Sequence, residues 1–143
     1  DARMGRRYLP ASLVGDIAPD ALIAPSPALQ PALRVAVARL LTLAETYYAS
    51  GEAGLPFLPV RARAGILVAG RVYRAIGHRL TACEHAYWEG RAFVPDWRKA
   101  TITLTALTTQ PLRGAFWSRP QAHSVSLHQA LVGLPGITAR HGE

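Results

Sequence analysis

Apolar residues recur at three- and four-residue spacing from about Pro31 to Ser50. The positions concerned are Leu33, Val37, Leu40, Leu41 and Ala44. This spacing collects them on one face of an amphipathic helix. Proline is favoured in the first turn of a helix and glycine at its end. We therefore expect this helix to end at Gly51 to Gly54.

A second helix is expected from about Val60 to His85, after the connector Gly54–Pro59, whose two prolines fix the chain direction. Its apolar stripe follows helical spacing and comprises Ala69, Val72, Tyr73, Ile76, Leu80 and Cys83. Because it lies on this stripe, Tyr73 is predicted to be buried, with a partner for its hydroxyl. Cys83 is predicted to be a small buried apolar side chain.

The polar residues and glycines of the second helix lie on other faces. Arg71, Arg74 and His78 share one face, at positions i, i+3 and i+7. Gly70 and Gly77 are seven residues apart and so lie on nearly the same side. Their spacing favours close packing against a neighbouring helix over a role in binding.

A third helix is expected from Trp97 to Thr109. Several β-branched residues in this stretch are typical of a strand, which is the competing interpretation, but the helical flanks favour a helix. The proline-rich residues 16–31 are expected to form an irregular arm. Periodicity is lost after Gln110, so we expect a helical domain over residues 1–109 and an irregular tail over residues 110–143.

The composition supports an all-α fold. Half of the 143 residues are hydrophobic, and alanine and leucine are the commonest, which favours helix over sheet. Cys83 is the only cysteine, which excludes a disulfide framework and a cysteine-based zinc site. The uncharged stretches are too short for a membrane span or are interrupted by prolines, and no signal peptide is recognisable, so we expect a cytoplasmic protein.

The net charge of +7 favours an anionic partner. Every basic residue except Lys99 is an arginine, whose planar guanidinium can bind two oxygens of a diphosphate at once. A GC-rich coding sequence would produce the same bias, and we give the two explanations equal weight. The arginines are scattered, with one tight group at Arg3, Arg6 and Arg7, so we expect no nucleic-acid partner and keep nucleic-acid binding as a weaker alternative.

No catalytic motif is complete in the chain. Its four aspartates are Asp1, Asp16, Asp20 and Asp96. None of them are paired at i, i+4 on a helix, so the chain alone does not supply the converging carboxylates that a magnesium–diphosphate site needs. His123 and His128 are predicted to be surface residues rather than metal ligands.

Four stretches, in order along the chain, resemble the squalene/phytoene synthase family. The run from Asp1 to Pro10, DARMGRRYLP, resembles the segment that begins at the last aspartate of the family's second aspartate-rich motif. The stretch from Ala44 to Pro59 resembles an Ala-Glu-x-Tyr-Tyr pattern followed by Gly-Leu and Leu-Pro. Ala69 to Gly77 resembles an Ala-x-x-x-Tyr-x-x-Ile-Gly helix, and Arg91 to Lys99 an Arg-Ala-x-Val…Lys segment. The resemblance covers about residues 1–105.

This resemblance implies an all-α bundle around a deep cavity, of which the chain would supply C-terminal helices. In the family, two prenyl diphosphates are joined head to head, and magnesium ions bridge them to two aspartate-rich motifs. The resemblance thus implies Mg²⁺ as the cofactor and Asp1 as a metal ligand. It implies diphosphate-binding roles for Tyr73, Arg91, Arg6 and Tyr8. The long apolar substrate also implies peripheral contact with a membrane, where we expect Arg61 and Arg63 to dock on anionic lipid.

Members of the family are usually more than twice as long as this chain. The resemblance therefore implies that the chain is the C-terminal portion of an enzyme and is inactive alone. The connector and the Tyr-Arg-Ala-Ile-Gly run resemble phytoene synthase, which joins two geranylgeranyl diphosphates to form phytoene, more than squalene synthase. A squalene or hopanoid-pathway synthase stays open as an alternative, as does a non-catalytic helical binding or assembly module of the same fold.

Overall fold

A computed structural model of the chain describes residues 2–90, 92–109, 114–117 and 125–132. Every regular element in these ranges is helical, which confirms the predicted all-α class. The α-helices are α1 (Ala11–Val14), α2 (Gln30–Ala53), α3 (Val60–Ala82), α4 (Asp96–Thr109) and α5 (Gly114–Trp117). Short 3-10 helices occupy Ala2–Met4, Pro19–Leu22, Leu55–Phe57, Tyr87–Glu89 and Val125–Leu131. Among the described residues, no helix combines the length and apolarity needed to cross a bilayer.

Helix α2 has the predicted apolar face and is slightly longer than expected. Leu33 and Val37 are buried on that face, together with Ala36. The helix continues through Gly51 to Ala53, and the N–H of Gly54 bonds to the carbonyl of Ser50 at 2.9 Å. Gly51 therefore does not end the helix, because a single glycine costs only about 1 kcal/mol in a helix that tertiary packing supports.

Helices α2 and α3 pack against each other, and Gly77, one of the two α3 glycines for which close packing was predicted, lies at the contact. A Cβ atom added at Gly77 would lie 3.1 Å from the Cδ2 atom of Leu41 on α2, so this position requires a small residue. A Cβ atom at Gly70 would meet nothing within 4 Å among the described residues. The close-packing prediction is therefore confirmed at Gly77 and wrong at Gly70.

The predicted apolar stripe of α3 is only partly buried. The side chain of Tyr73 is 66% exposed, so the predicted burial of its hydroxyl is wrong. Cys83 is also exposed, because α3 ends at Ala82 and Cys83 falls in the turn that follows. The buried residue of the helix is Leu67, which lies outside the predicted stripe.

The turn after α3 contains two consecutive residues, Glu84 and His85, with φ values of 49° and 65°. This left-handed conformation costs roughly 1–2 kcal/mol for each non-glycine residue. Arg34 of α2 holds the turn in place, since it donates to the Glu84 carbonyl at 2.7 Å and lies 3.3 Å and 3.6 Å from the carboxylates of Glu84 and Glu89. Its guanidinium also lies 5.3 Å from the ring centroid of Trp88.

Helix α4 forms despite its β-branched residues, as predicted. The hydroxyls of Thr101, Thr108 and Thr109 each donate to the backbone carbonyl four residues earlier, at 2.9, 2.8 and 2.6 Å. These bonds satisfy the hydroxyls within the helix itself. The threonines are thus compatible with helix, and Ala106 is fully buried on its inner face.

One apolar cluster joins the connector after α2 to the three helices that follow it. Its buried members are Leu55, Leu67, Ala106 and Phe116, and Leu58 and Val68 pack against it. Phe116 lies in the stretch expected to be irregular, yet its side chain is only 6% exposed. Part of the chain beyond residue 109 therefore contributes to the core.

Candidate functional site

A cleft of about 1010 Å³ opens between the N-terminal segment, α2 and the turn after α3. We call it the N-terminal cleft. Arg3, Arg6 and Tyr8 line one side of it. The apolar residues that line it are Ala2, Leu9, Leu22, Ile23, Val37, Leu40, Leu41, Ala44 and Leu80. The cleft thus combines a basic side with an extended apolar wall.

Two neighbouring arginines of the N-terminal segment have different roles. Arg7 donates to the Oδ1 atom of Asp16 and to the carbonyl of Ile17, both at 3.1 Å, and so ties the segment to the loop after α1. Arg6 and Tyr8 line the N-terminal cleft instead. Tyr8 is 70% exposed there, so its hydroxyl is accessible to a ligand.

The structure brings together two of the five residues that the sequence assigned to the site. Arg6 and Tyr8 line the same cleft, whereas Tyr73 does not. Tyr73 lies seven residues before Leu80, which does line the cleft, so both are on the same side of α3. Asp1 and Arg91 lie outside the described residues.

The part of the chain that the structure describes contains no group of three or more His, Cys, Asp or Glu side chains placed to hold a metal ion. The carboxylate of Asp16 is bound by Arg7. The described residues therefore do not form a magnesium site by themselves.

Tyr87 and Trp88 also line the N-terminal cleft, with their ring centroids 5.1 Å apart in an edge-to-face arrangement. The hydroxyl of Tyr87 is buried and has no hydrogen-bond partner among the described residues. Its burial raises the pKa of this phenol above the ordinary value, because the charged phenolate would lose its hydration. Tyr87 therefore stays neutral and contributes its ring to the cleft wall.

An ion-pair network connects α2 to α3 on another side of the helix pair. Arg74 donates to both carboxylate oxygens of Glu45, with its Nε atom 2.8 Å from Oε2. His78 Nε2 lies 3.4 Å from Glu45 Oε1, and Arg71 binds Glu52 through two bonds of 3.2 Å. The basic face that the sequence showed on α3 thus pairs with two carboxylates seven residues apart on α2.

Replacing Glu45 with glutamine is expected to lower the free energy of unfolding at pH 7 by about 0.5–1 kcal/mol, a value kept small because the side chain is 40% exposed. The hydrogen bond from Arg74 lowers the pKa of Glu45 in the folded state. Glu45 therefore stabilises the protein above the unfolded-state pKa, and this contribution is lost as the pH falls through the folded-state pKa. The original chain and the variant should differ at pH 7 and converge as the pH falls below the folded-state pKa of Glu45.

Urea unfolding of both proteins at several pH values measures this difference. Asp20→Asn is a suitable control, because Asp20 is exposed and its carboxylate has no partner among the described residues. A difference between Glu45→Gln and the original chain that stays constant from pH 7 down to the lowest pH at which both are folded would contradict the assignment to the ionised carboxylate.

Arg63 is not available for membrane docking, contrary to the sequence-based expectation. It donates to three backbone carbonyls, those of Leu58 and Phe116 at 2.7 Å and of Pro56 at 2.9 Å. The side chain therefore links the proline-containing connector to α5. Arg61, two residues earlier on the same helix, is exposed and has no side-chain partner among the described residues.

The sequence did not indicate the structural roles of Arg34 and Arg63. Both side chains bind residues about fifty positions away, and no helical periodicity marks such pairs. The nearest sequence signal for Arg63 is the two-proline connector before α3. Two of its carbonyl groups, that of Pro56 in the short 3-10 helix and that of Leu58 just after it, accept hydrogen bonds from Arg63.

Comparison with known proteins places the chain in a family. The model of the family described as squalene/phytoene synthase matches residues 1–98. The 15-cis-phytoene synthase of Enterobacter agglomerans is 33% identical over 129 residues, which cover 84% of this chain and 44% of that protein. The 15-cis-phytoene synthase of a Paracoccus species is 46% identical over 80 residues, covering 56% of this chain and 25% of that protein.

A third relative, the phytoene synthase of Rhodobacter capsulatus, is 30% identical over 138 residues, covering 91% of this chain and 40% of that protein. The chain therefore spans less than half the length of these curated relatives. No solved structure matches significantly. The family match extends from the N-terminal segment, which carries Arg6 and Tyr8, through α3 and into the start of α4. On this basis the chain belongs to the squalene/phytoene synthase family.

Proposed function

We propose that the chain is the C-terminal part of a prenyltransferase that condenses two molecules of geranylgeranyl diphosphate head to head to form phytoene. The N-terminal cleft is the observation that carries this proposal, because Arg3 and Arg6 stand beside an apolar wall. A prenyl diphosphate has the same division, with a strongly anionic head and a long hydrocarbon tail. The names of the bacterial relatives, 15-cis-phytoene synthases, agree with this product.

Arg6 and Tyr8 are assigned to the diphosphate. In the first step of the proposed reaction, the C–O bond of one substrate breaks, and the diphosphate leaves with the electron pair. Arg6 stabilises the departing negative charge, since a guanidinium can bind two phosphate oxygens at once. The exposed hydroxyl of Tyr8 can donate a further hydrogen bond. Arg91 and Tyr73 are proposed as further diphosphate ligands, on the strength of the family resemblance.

The apolar wall is assigned to the carbocation and the hydrocarbon chains. Loss of the diphosphate leaves an allylic cation, and the π electrons of a double bond of the second substrate attack it to form the new C–C bond. The positive charge passes to the second substrate and is removed by loss of a proton. The second diphosphate then leaves with its electron pair, and loss of a further proton gives phytoene. Water in the site would capture this cation as an alcohol. Leu40, Leu41 and Leu80 line the cleft with groups that cannot react, and they exclude water from it.

Asp1 is proposed as a ligand for Mg²⁺, with the other carboxylates supplied from outside this chain. When bound, the metal would neutralise charge on the diphosphate. We further propose that the enzyme works on the cytoplasmic side at a membrane surface, because its substrate and product are long and apolar.

The test is a prenyl transfer assay with geranylgeranyl diphosphate and magnesium. It uses the protein that contains this chain together with the sequence encoded upstream of it. We expect phytoene as the product, and no turnover by the 143-residue chain alone. Arg6→Gln is expected to raise KM for the diphosphate substrate at least tenfold, which corresponds to about 1.4 kcal/mol of lost binding. Arg39→Gln removes an exposed arginine outside the cleft and should leave KM unchanged.

Three outcomes would overturn parts of this proposal. Robust turnover by the isolated chain would exclude its being an incomplete part of the enzyme. Use of farnesyl diphosphate in preference to geranylgeranyl diphosphate would favour a squalene or hopanoid-pathway synthase. An inactive complete protein that still folds would favour a non-catalytic binding module.

A further inference from the structure

A second cleft, of about 820 Å³, lies between α3, α4 and the end of α2. We call it the arginine cleft; its lining includes Arg71, Arg74, Arg79, Arg98, Trp97 and Ile102. Ala82, which also lines it, is nine residues from Tyr73. At about 100° per residue this separation places the two residues on opposite sides of α3. The arginine cleft therefore faces away from the side that carries Tyr73.

Two arginines of this cleft are anchored and two are not. Arg71 and Arg74 are held by the carboxylates of α2. Arg79 and Arg98 are exposed, and their side chains have no ion pair or hydrogen bond among the described residues. The lining contains four guanidinium groups and one carboxylate, that of Glu52. Positive charge is therefore in excess, and two of the guanidinium groups have donors left for an anion.

An exposed apolar surface adjoins the arginine cleft on α4. Trp97, which lines the cleft, is 70% exposed, and Leu104, seven residues later on the same side of the helix, is 66% exposed. Leu107 is 46% exposed. Tryptophan beside leucine and arginine is typical of surfaces that enter the interface between lipid head groups and acyl chains.

We propose that the arginine cleft binds the phosphate head group of an anionic membrane lipid, while Trp97, Leu104 and Leu107 enter the interface beside it. The charge of the cleft complements an anionic lipid surface. The exposed leucines favour a bilayer over a nucleic acid, whose backbone offers no apolar region to them. This inference rests on the membrane contact that is part of the proposed function. It assigns that contact to α4 and the arginine cleft instead of Arg61 and Arg63.

Binding of the protein encoded together with its upstream sequence to phospholipid vesicles tests this inference. Vesicles of phosphatidylcholine alone are compared with vesicles that also contain phosphatidylglycerol, and bound protein is measured by sedimentation. We expect binding to the anionic vesicles. The double variant Arg79→Gln/Arg98→Gln should weaken it about 30-fold, which corresponds to two charges at about 1 kcal/mol each.

The double variant Arg39→Gln/Arg61→Gln is the matched control. It removes the same charge from two exposed arginines that lie outside the arginine cleft and have no side-chain partner among the described residues. We expect a loss of less than threefold. Circular dichroism establishes that both double variants are folded. Equal losses in the two double variants would assign the binding to net charge and overturn the proposed surface.

Two further measurements distinguish binding to a lipid from binding to a free anion and from an effect of net charge alone. The fluorescence of Trp97 should shift to shorter wavelength on anionic vesicles, and Trp97→Phe should abolish that shift. Titration with inorganic phosphate at constant ionic strength should show no binding that depends on Arg79 and Arg98. Strong phosphate binding without a fluorescence shift on vesicles would show that the ligand of the arginine cleft is a soluble anion and not a lipid. Vesicle binding is measured without substrate, so its failure and a failure of prenyl transfer are independent results.

Discussion

Replacing Leu67 with alanine is expected to lower the free energy of unfolding by about 3–4 kcal/mol. The Leu67 side chain is 2% exposed and belongs to the cluster that joins the connector, α3, α4 and α5. Its truncation removes apolar contacts and leaves a cavity that its rigid neighbours fill only in part. The slightly better helix propensity of alanine does not offset this loss.

Ile66 provides the matched control for this prediction. It is adjacent on the same helix, loses the same number of carbon atoms on substitution by alanine, and is 57% exposed. Ile66→Ala should change the free energy of unfolding by less than about 0.5 kcal/mol. Urea unfolding followed by far-UV circular dichroism measures both variants.

If Leu67→Ala does not fold, Leu67→Met keeps the volume of the side chain, and its expected cost is below about 1.5 kcal/mol. If Ile66→Ala and Leu67→Ala lowered the free energy of unfolding equally, the apolar cluster around Leu67 would not be the main contact that stabilises α3.

Replacing Arg63 with methionine is expected to lower the free energy of unfolding by about 3 kcal/mol. Methionine retains much of the apolar stem but removes the donors to the carbonyls of Pro56, Leu58 and Phe116. A hydrogen bond from a charged donor contributes about 1.5–3 kcal/mol, and each partly buried carbonyl left without a donor adds a further cost. The guanidinium also lies 5.9 Å from the ring centroid of Phe116, a contact that methionine would lose.

Two further variants separate the effect of geometry from that of charge. Arg63→Lys retains the charge, but a single ammonium group cannot reproduce the planar fork, so we expect an intermediate loss. Arg61→Met removes the same charge from an exposed residue two positions earlier and should cost less than about 0.5 kcal/mol. A lysine variant as stable as the original chain would show that charge alone is sufficient at position 63.

These two predictions concern one structural unit, in which Leu67 and Arg63 lie one turn apart on α3. Leu67 brings the apolar face of the helix into the core, and Arg63 ties the start of the helix to the connector and to α5. The unit positions the beginning of α3 relative to α2, and so it supports the helix pair whose far end lines the N-terminal cleft. We therefore expect these substitutions to affect binding at the cleft only through stability.

The site was predictable only in part. The motif DARMGRRYLP led to Arg6 and Tyr8, and both line the N-terminal cleft. The same resemblance assigned Tyr73, which lies on the same side of α3 as the cleft residue Leu80 but is exposed and does not line that cleft. A motif identifies a residue type at a position. The groups that surround this residue depend on which elements pack over it.

The sequence by itself determined the three long helices of this protein and the order of its family motifs. Helical periodicity is a local property, set by side chains three and four residues apart, and it correctly placed α2, α3 and α4 within a few residues. Even the threonine-rich α4 was predictable, since a threonine hydroxyl can bond within its own helix.

Only the tertiary structure decided what the charged residues do. Arg34, Arg63 and Arg74 find partners 50, 53 and 29 residues away, across contacts between helices. Local sequence does not distinguish them from exposed arginines such as Arg61. A guanidinium can bind a carboxylate, a carbonyl or a phosphate, so its role follows from the packing of the helices around it.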